Sequence, residues 1–154
     1  MNVYQNLDIN LPKNKSNFKS NTFKEISLST CITLDDFQSS DKSISSISIN
    51  PKITHYNIFL TPSSFNQVNG ENIKISGYKL SVFGIINEVI IFENIKCHIR
   101  TCNTYIPFYT SITLPSNTDI SEPICIDTYI KYVNVFCMSP KEIFQNICIL
   151  VSVT

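Results

Sequence analysis

The sequence predicts an all-β fold, an antiparallel β-sandwich of jelly-roll-like or Ig-like type with about eight strands and an extended N-terminal arm. The 154-residue chain contains no alanine and no tryptophan, whereas isoleucine recurs throughout. Alanine is the best helix former, and β-branched isoleucine suits a pleated sheet. Apolar and polar residues also alternate in segments separated by Pro, Asn and Ser turn signals. This spacing is typical of a sandwich or barrel.

The chain is long enough for one domain with a hydrophobic core, preceded by a tail. Residues 1–22 are predicted to form the N-terminal arm, and residues 23–154 the sandwich. Val3, Leu7, Ile9 and Leu11 are set in polar sequence, and the last three share one strand parity. Such a segment can add a short strand to an open sheet edge. We therefore expect these four residues to contact a neighbouring subunit; the alternative is an arm that folds back on its own domain.

The first regular strand is predicted from Lys24 onwards, where two sets of residues alternate. One face carries Ile26, Leu28, Thr30, Ile32 and Leu34; the other carries Glu25, Ser27, Ser29, Cys31 and Thr33. This alternation predicts a half-buried strand with Cys31 facing outward. Cys31 is therefore included in the predicted assembly interface.

A loop is predicted over Asp35–Ser46, and the remaining strands follow it. They are Ile47–Asn50 running into Pro51, Thr54–Leu60, Ile73–Phe83, Ile85–Phe92, Ile95–Ile106, Phe108–Leu114, Ile124–Met138 and Ile143–Val153. Gly84 interrupts an apolar run, which predicts a bulge or bend there. Within Ile95–Ile106, we expect Ile99 and Tyr105 to face the core, and Cys102 and Thr104 to face solvent.

The charge balance argues against nucleic acid as a partner, and the lengths of the apolar runs argue against membrane insertion. Lys plus Arg equals Asp plus Glu at 12 each, so no basic field exists to hold a phosphate backbone, and we expect no nucleic acid partner. No apolar run reaches the roughly 18 residues of a membrane span, and Met1–Asn10 lacks the features of a signal peptide. We expect synthesis in a cytoplasm and no membrane insertion.

No constellation of residues indicates catalysis, a cofactor or a metal. A site built from His98, Cys97 and Cys102 is disfavoured because strand alternation places Cys97 on the opposite face, and the chain lacks a Cys-x2-Cys knuckle. No oxyanion-hole motif accompanies these residues, and the three glycines form no phosphate-binding loop. The prediction is a protein that is not an enzyme and has no catalytic, cofactor-binding or metal-binding residues.

The six cysteines allow two interpretations. They are either buried thiols that act as small apolar side chains or thiols that are oxidised after synthesis. Strand parity places Cys31 and Cys102 on polar faces, which makes these two the candidate cross-linking cysteines.

Several short elements resemble the SPOCS domain of endospore-forming Clostridia. They are Val82-Phe83-Gly84, Val89-Ile90-Ile91-Phe92, Tyr105-Ile106-Pro107-Phe108, Ile112-Thr113-Leu114-Pro115 and the upstream Ile47-Ser48-Ile49-Asn50-Pro51-Lys52-Ile53. The resemblance covers roughly residues 44–153. It implies a β-rich module of spore-envelope proteins, which often lies beside a peptidoglycan-binding LysM segment. No LysM segment is visible here, so the resemblance favours assembly with other proteins over direct wall binding.

The expected function is that of a structural subunit of a spore-surface layer or fibre, which self-associates through strand edges, the N-terminal arm and disulfides. The expected partners are further copies, as a homo-oligomer or polymer, and other spore-envelope proteins. The chain would be made in the mother-cell cytoplasm and would end at the spore surface. One alternative is a soluble adaptor that recruits a single spore-envelope protein; another is an enzyme of unrecognised type.

Overall fold

The computed structural model describes residues 2–3, 8–10, 22–33, 42–61, 65–68, 71–74, 77–94, 99–114, 118–139 and 142–153. Every regular element in these ranges is a β-strand. The strands are β1 (Asn2–Val3), β2 (Asp8–Asn10), β3 (Thr22–Thr33), β4 (Lys42–Leu60), β5 (Phe65–Val68), β6 (Glu71–Lys74), β7 (Tyr78–Asn94), β8 (Ile99–Thr113), β9 (Ile126–Ser139) and β10 (Glu142–Val153).

Two four-stranded sheets stack face to face. The first has the order β1-β9-β10-β3, and the second the order β2-β4-β7-β8; β5 and β6 form a separate pair. All pairings are antiparallel except that of β2 with β4. One edge strand, β3, contacts β8 of the opposite sheet, and β9 contacts β4. This arrangement confirms the predicted all-β sandwich.

The core lies between the two sheets and consists mainly of isoleucine. On β7 and β10, apolar side chains at alternate positions face inward, which is the pattern of a sheet with one buried face. The most completely buried aliphatic residues are Ile47, Ile49, Leu80, Val82, Ile86, Ile90, Ile147, Ile149 and Val151. A sandwich needs only these two inner faces to be apolar, so half of each strand remains available for polar residues.

Three strands are longer than the alternation predicted. β4 runs without interruption through Pro51, β7 through Gly84 and β8 through Pro107, and the predicted loop ends at Lys42, where β4 begins. Proline is tolerated in edge strands, where its missing N–H need not donate to a neighbour. Within the described residues, β8 pairs only with β7, and β2 covers β4 only at Ser46–Ser48, so both prolines lie at open edges.

The bulge predicted near Gly84 is confirmed, although the additional residue belongs to the neighbouring strand β4. Gly84 pairs with Ile53, Phe83 pairs with His55, and the register shifts between them. On the other side, Gly84 lies opposite Phe108, whose buried ring occupies the space that a β-carbon at Gly84 would need. Glycine is therefore required here because the backbone and an aromatic ring approach each other closely.

The predicted facing of Ile95–Ile106 is wrong for its described part. Ile99 and Tyr105 are 68% and 69% exposed, whereas Cys102 and Thr104 are half-buried and lie on the inner face. Their parity is that of Phe108 and the other inward residues of β8. Thr104 lies opposite the polar Glu88, as described below, and Cys102 lies opposite Ile90 and packs against the core.

Two pieces of the predicted arm pair with the chain's own sheets. Val3 on β1 lies opposite Phe136 of β9, and Ile9 on β2 lies beside Ile47 of β4. Leu7 and Leu11 lie outside the described residues. The sandwich begins at Thr22, one residue before the predicted boundary. In this structure the described pieces of the arm therefore follow the alternative of an arm folded back on its own domain.

Candidate assembly edge and buried polar cluster

The most regular open edge of the described molecule is strand β3. Its twelve residues pair with β10 from Thr22–Val153 to Thr33–Glu142 without a register shift, and no described strand pairs with its other edge, although β8 of the opposite sheet lies nearby. Most edge strands are shortened, bulged or charged in ways that prevent further pairing. β3 contains no proline and no bulge, and only Lys24 and Glu25 are charged. Its backbone can accept another strand.

Cys31 projects from the outer face of this edge. Its side chain is exposed, as the alternation predicted, and Ile26, Leu28 and Ile32 turn inward. The outward position places the thiol close to the end of β3, where a second chain can reach it. Cys31 is therefore the described residue that combines an open edge with an accessible thiol.

The other described thiols lie in different surroundings. Cys125 is exposed just before β9, Cys102 is half-buried on the inner face of β8, and Cys148 is fully buried. Burial and the nearby Glu88 carboxylate raise the pKa of Cys102. A half-buried thiol with a raised pKa is a poor cross-linking group, so this placement does not favour Cys102 as a cross-linking cysteine. The thiols of Cys31, Cys102, Cys125 and Cys148 are free.

A charged cluster covers Cys148 on the outer face of the first sheet. Lys131, the additional residue of a bulge in β9, bonds through Nζ to Glu25 Oε2 at 2.7 Å, and Cys148 Sγ donates to Glu25 Oε1 at 3.2 Å. The hydrogen bonds from Lys131 and then from Cys148 lower the pKa of Glu25. Burial, followed by the Glu25 hydrogen bond, raises the pKa of Cys148. This arrangement keeps the thiol protonated and unreactive.

Aromatic rings cluster on the outer face of the second sheet. His55, Phe83 and Tyr109 are adjacent across β4, β7 and β8, with ring centroids 6.1 Å apart for His55 and Phe83 and 4.9 Å apart for Phe83 and Tyr109. The Tyr109 hydroxyl lies 3.3 Å from Ser81 Oγ. All three rings are exposed, so this ring cluster is available to a partner.

A polar cluster lies inside the sandwich, where the two sheets meet. Glu88 on β7 is 1% exposed and Gln145 on β10 is 0% exposed, although the inward-facing residues two positions before and after each of them are isoleucines. Thr104 of β8 lies directly opposite Glu88 in the register. Thr104 Oγ1 donates to Glu88 Oε2 at 2.7 Å, and Gln145 Nε2 donates to the same oxygen at 2.8 Å. One carboxylate oxygen thus connects side chains from both sheets.

Two oxygen atoms of this polar cluster have no hydrogen-bond partner in the described structure. They are the buried atoms Glu88 Oε1 and Gln145 Oε1. Burial is the dominant cause that raises the pKa of Glu88, and the hydrogen bonds from Thr104 and Gln145 oppose it. The cluster therefore places a carboxyl group with a raised pKa between a hydroxyl and an amide that both donate to it.

Sequence reasoning missed Glu88, Thr104 and Gln145, although a signal was present. Each interrupts the apolar parity of its strand, and a polar residue at a core position is more informative than an exposed apolar one. Among the described residues, no three His, Cys, Asp or Glu side chains are grouped closely enough to hold a metal ion.

Comparisons with protein-family models, with curated proteins and with solved structures give no match to this chain. The resemblance to the SPOCS domain therefore stays a prediction. Within the ranges that the structure describes, no helix is long and apolar enough to cross a membrane.

Proposed function

We propose that this chain is a structural subunit that polymerises through the two lateral sides of its sandwich. The observation that carries the proposal is β3, a twelve-residue edge strand without bulge or proline that exposes Cys31. A regular open edge is a template for strand addition by another chain. The proposed role is mechanical, and strand pairing rather than catalysis carries it.

The first interface would pair β3 with β3 of a second copy. An antiparallel pair related by a two-fold axis places the same residue opposite itself at the axis. Pairing of Ser29–Thr33 centred on Cys31 would bring the two thiols face to face. Directly opposed residues in antiparallel strands have Cα atoms about 4.5–5.5 Å apart, within the roughly 4.4–6.8 Å that a disulfide spans. Oxidation would then lock the contact.

The second interface would use the opposite side of the sandwich, where β1 and β2 lie on the edges of β9 and β4. Among the described residues of the arm, these pairings extend over two and three residues. Short intramolecular pairings of this kind can be exchanged for the same pairings with a neighbour's arm, which is domain swapping. Two interfaces on opposite sides of one subunit produce an open chain of subunits rather than a closed dimer.

The cellular setting of the proposal comes from the resemblance to the SPOCS domain. It is synthesis in the mother cell and assembly at the spore surface, with other spore-envelope proteins as partners. A net charge of zero agrees with this role, because it removes the repulsion that keeps soluble proteins apart. A thiol that is reduced during synthesis and oxidised at the surface would lock the polymer only after assembly.

The test compares Cys31→Ser, Cys31→Lys and a deletion of residues 1–22 with the full chain. Cys125→Ser is the matched control, because Cys125 is the second thiol that is exposed among those the structure describes. Size-exclusion chromatography, negative-stain microscopy and non-reducing gels follow assembly before and after oxidation. We expect the full chain and Cys125→Ser to form fibres that become disulfide-linked. The deletion variant should stop at disulfide-linked dimers. Cys31→Ser should assemble without cross-links, and Cys31→Lys, which adds charge to the edge, should lose the β3 contact.

The proposal fails if the full chain stays monomeric in both redox states, or if Cys125→Ser abolishes the cross-link and Cys31→Ser does not. A deletion variant that forms the same fibres as the full chain would remove the second interface alone. Circular dichroism of each variant verifies that the sandwich is folded.

A second candidate function, that of an adaptor that binds one partner, is favoured by the exposed ring cluster of His55, Phe83 and Tyr109. Exposed aromatic side chains are frequent anchors of protein interfaces. A monomeric full chain in which Tyr109→Ser abolishes capture of a spore-envelope protein, while Cys31→Ser does not, would favour the adaptor over the polymer.

A further inference from the structure

Three reactive side chains of different chemistry converge in the interior. The Glu88 carboxyl lies between the Thr104 hydroxyl and the Gln145 amide, and both donate to its Oε2 atom, at 2.7 and 2.8 Å. Thr104 Oγ1 and Gln145 Nε2 therefore cannot be more than about 5.5 Å apart. The hydroxyl belongs to the second sheet and the amide to the first.

We infer that Thr104 and Gln145 form an intramolecular ester with Glu88 as the catalytic residue, so that one covalent bond joins the two sheets of the sandwich. The reaction is an acyl transfer in which the alcohol of threonine replaces the amide nitrogen of glutamine. Ammonia is the other product, and no oxidant or cofactor takes part. The inference does not depend on the proposed function, because it concerns the interior of a single chain.

The carboxyl group can perform both proton transfers. In the first step, Thr104 Oγ1 bonds to Gln145 Cδ, and Glu88 Oε2, which already accepts a hydrogen bond from this hydroxyl, takes its proton, so that the negative charge moves to Gln145 Oε1. In the second step, Glu88 Oε2 gives this proton to Gln145 Nε2, which already donates to it, the C–N bond breaks to release ammonia, and the charge on Gln145 Oε1 returns to form the ester carbonyl. Glu88 ends as the carboxylate that it was at the start. General acid–base catalysis by one positioned carboxyl is an established mode of such transfer.

The geometry favours this reaction in three ways. Burial raises the pKa of Glu88, which makes its carboxylate a stronger base towards the hydroxyl proton. Both proton transfers use Glu88 Oε2, the atom to which the hydroxyl and the amide nitrogen already donate. Holding the hydroxyl and the amide on one carboxyl replaces an encounter in solution with a unimolecular step, which requires reacting atoms at about 3–3.5 Å. Rotation of the Thr104 and Gln145 side chains would bring the reacting atoms to that distance.

The interior also favours the product over its reversal. Glu88 and Gln145 are almost completely shielded from solvent, so water has little access to hydrolyse the ester. The released ammonia is diluted into solvent, which opposes the back reaction.

The position of its hydroxyl identifies Thr104, rather than Thr30, as the nucleophile. Thr30 also lies on an inner face, directly opposite Gln145 in the register of β3 and β10. The Thr104 hydroxyl is the one that bonds to Glu88 at 2.7 Å, and a general base must reach the proton that it removes. Thr30 is therefore the matched control, since it offers the same functional group to the same amide without that contact.

The test is the intact mass of the full, folded chain. We expect it to be lighter than the sequence mass by one ammonia, about 17 Da, and tandem mass spectrometry to find the peptides that contain Thr104 and Gln145 joined. Alkaline hydroxylamine applied to the joined peptides after proteolysis should separate them, because it cleaves the ester and these peptides do not contain Asn69-Gly70, where it can also break the chain. Glu88→Gln and Thr104→Val should show the full mass, whereas Thr104→Ser and Thr30→Val should retain the loss.

The inference is overturned if the folded full chain keeps its full sequence mass after prolonged incubation. It is also overturned if the loss of ammonia maps elsewhere, for example to Asn69-Gly70, a dipeptide prone to cyclisation with the same mass change. Persistence of the Thr104–Gln145 link in Glu88→Gln would refute the role of Glu88 alone. Since the full chain itself decides the first two outcomes, a variant that fails to fold does not prevent the test.

Discussion

The contact between Gly84 and Phe108 permits a strict test of the core packing, because the Phe108 ring occupies the space that a larger residue at position 84 would need. A β-carbon at Gly84 would overlap the Phe108 ring and would lie 2.8 Å from the carbonyl oxygen of Lys52. Gly84→Ala therefore inserts an atom where none fits, and Phe108→Ala removes the ring that blocks it. The double variant combines the added atom with the space that the missing ring leaves.

The expected magnitudes follow from core substitutions in other proteins. Phe108→Ala should lower the free energy of unfolding by about 3–5 kcal/mol, because lost transfer energy adds to a cavity. Gly84→Ala should cost about 1–3 kcal/mol, as overpacking does. In the double variant the overlap with the ring is gone and the 2.8 Å contact with the Lys52 carbonyl oxygen remains, so its cost should fall below the sum of the two single costs. The coupling energy should exceed about 0.5 kcal/mol, the lower limit for residues in contact.

Urea denaturation followed by far-ultraviolet circular dichroism measures all four corners of the cycle. Gly77→Ala is the matched control, since a β-carbon there would lie at 3.3 Å from Leu60 Cδ1 and 3.4 Å from the carbonyl oxygen of Thr61. Both contacts are tolerable with small adjustments, and this variant should cost less than Gly84→Ala. Additive costs in the double variant, to within about 0.5 kcal/mol, would refute the claim that the Phe108 ring covers Gly84.

Two further predictions concern titratable groups. Mild alkylation of the folded protein, read by mass spectrometry, should label the exposed Cys31 and Cys125 before Cys102 and Cys148, whose pKa values are raised by burial; early labelling of Cys102 would contradict its inward position. Because the pKa of Glu88 is raised in the folded state, the folded chain binds more protons than the unfolded chain above the ordinary carboxyl pKa. Stability should therefore fall as the pH rises from that value past the folded pKa of Glu88. Urea titrations across this range should show a flatter profile for Glu88→Gln, and an unchanged profile would contradict the assignment.

Periodicity predicted the fold class and most strands because burial on one face leaves a period of two in the sequence. Ile26, Leu28 and Ile32 face inward and Cys31 outward, as this period requires. The ends of the strands were less predictable. Local signals such as Pro51 and Gly84 favour breaks, but the pairing partner decides whether a strand continues. Pro51 lies at an open edge, and Gly84 accommodates the ring of Phe108, so β4 and β7 continue through them.

The facing of β8 could not be predicted locally, because its inward residues at Cys102 and Thr104 are polar and its outward residues Ile99 and Tyr105 are apolar. A period of two identifies two faces without saying which one is buried, and the choice normally follows hydrophobicity. Here the predicted break at Pro107 separated Cys102 and Thr104 from Phe108 and Ile112, the buried residues that share their parity in the continuous strand β8. Thr104 also lies beside Glu88 on the neighbouring strand and donates to its carboxyl. A buried carboxyl without donors would cost more than burying a threonine, and this pairing between strands that are distant in sequence is visible only in the assembled sandwich.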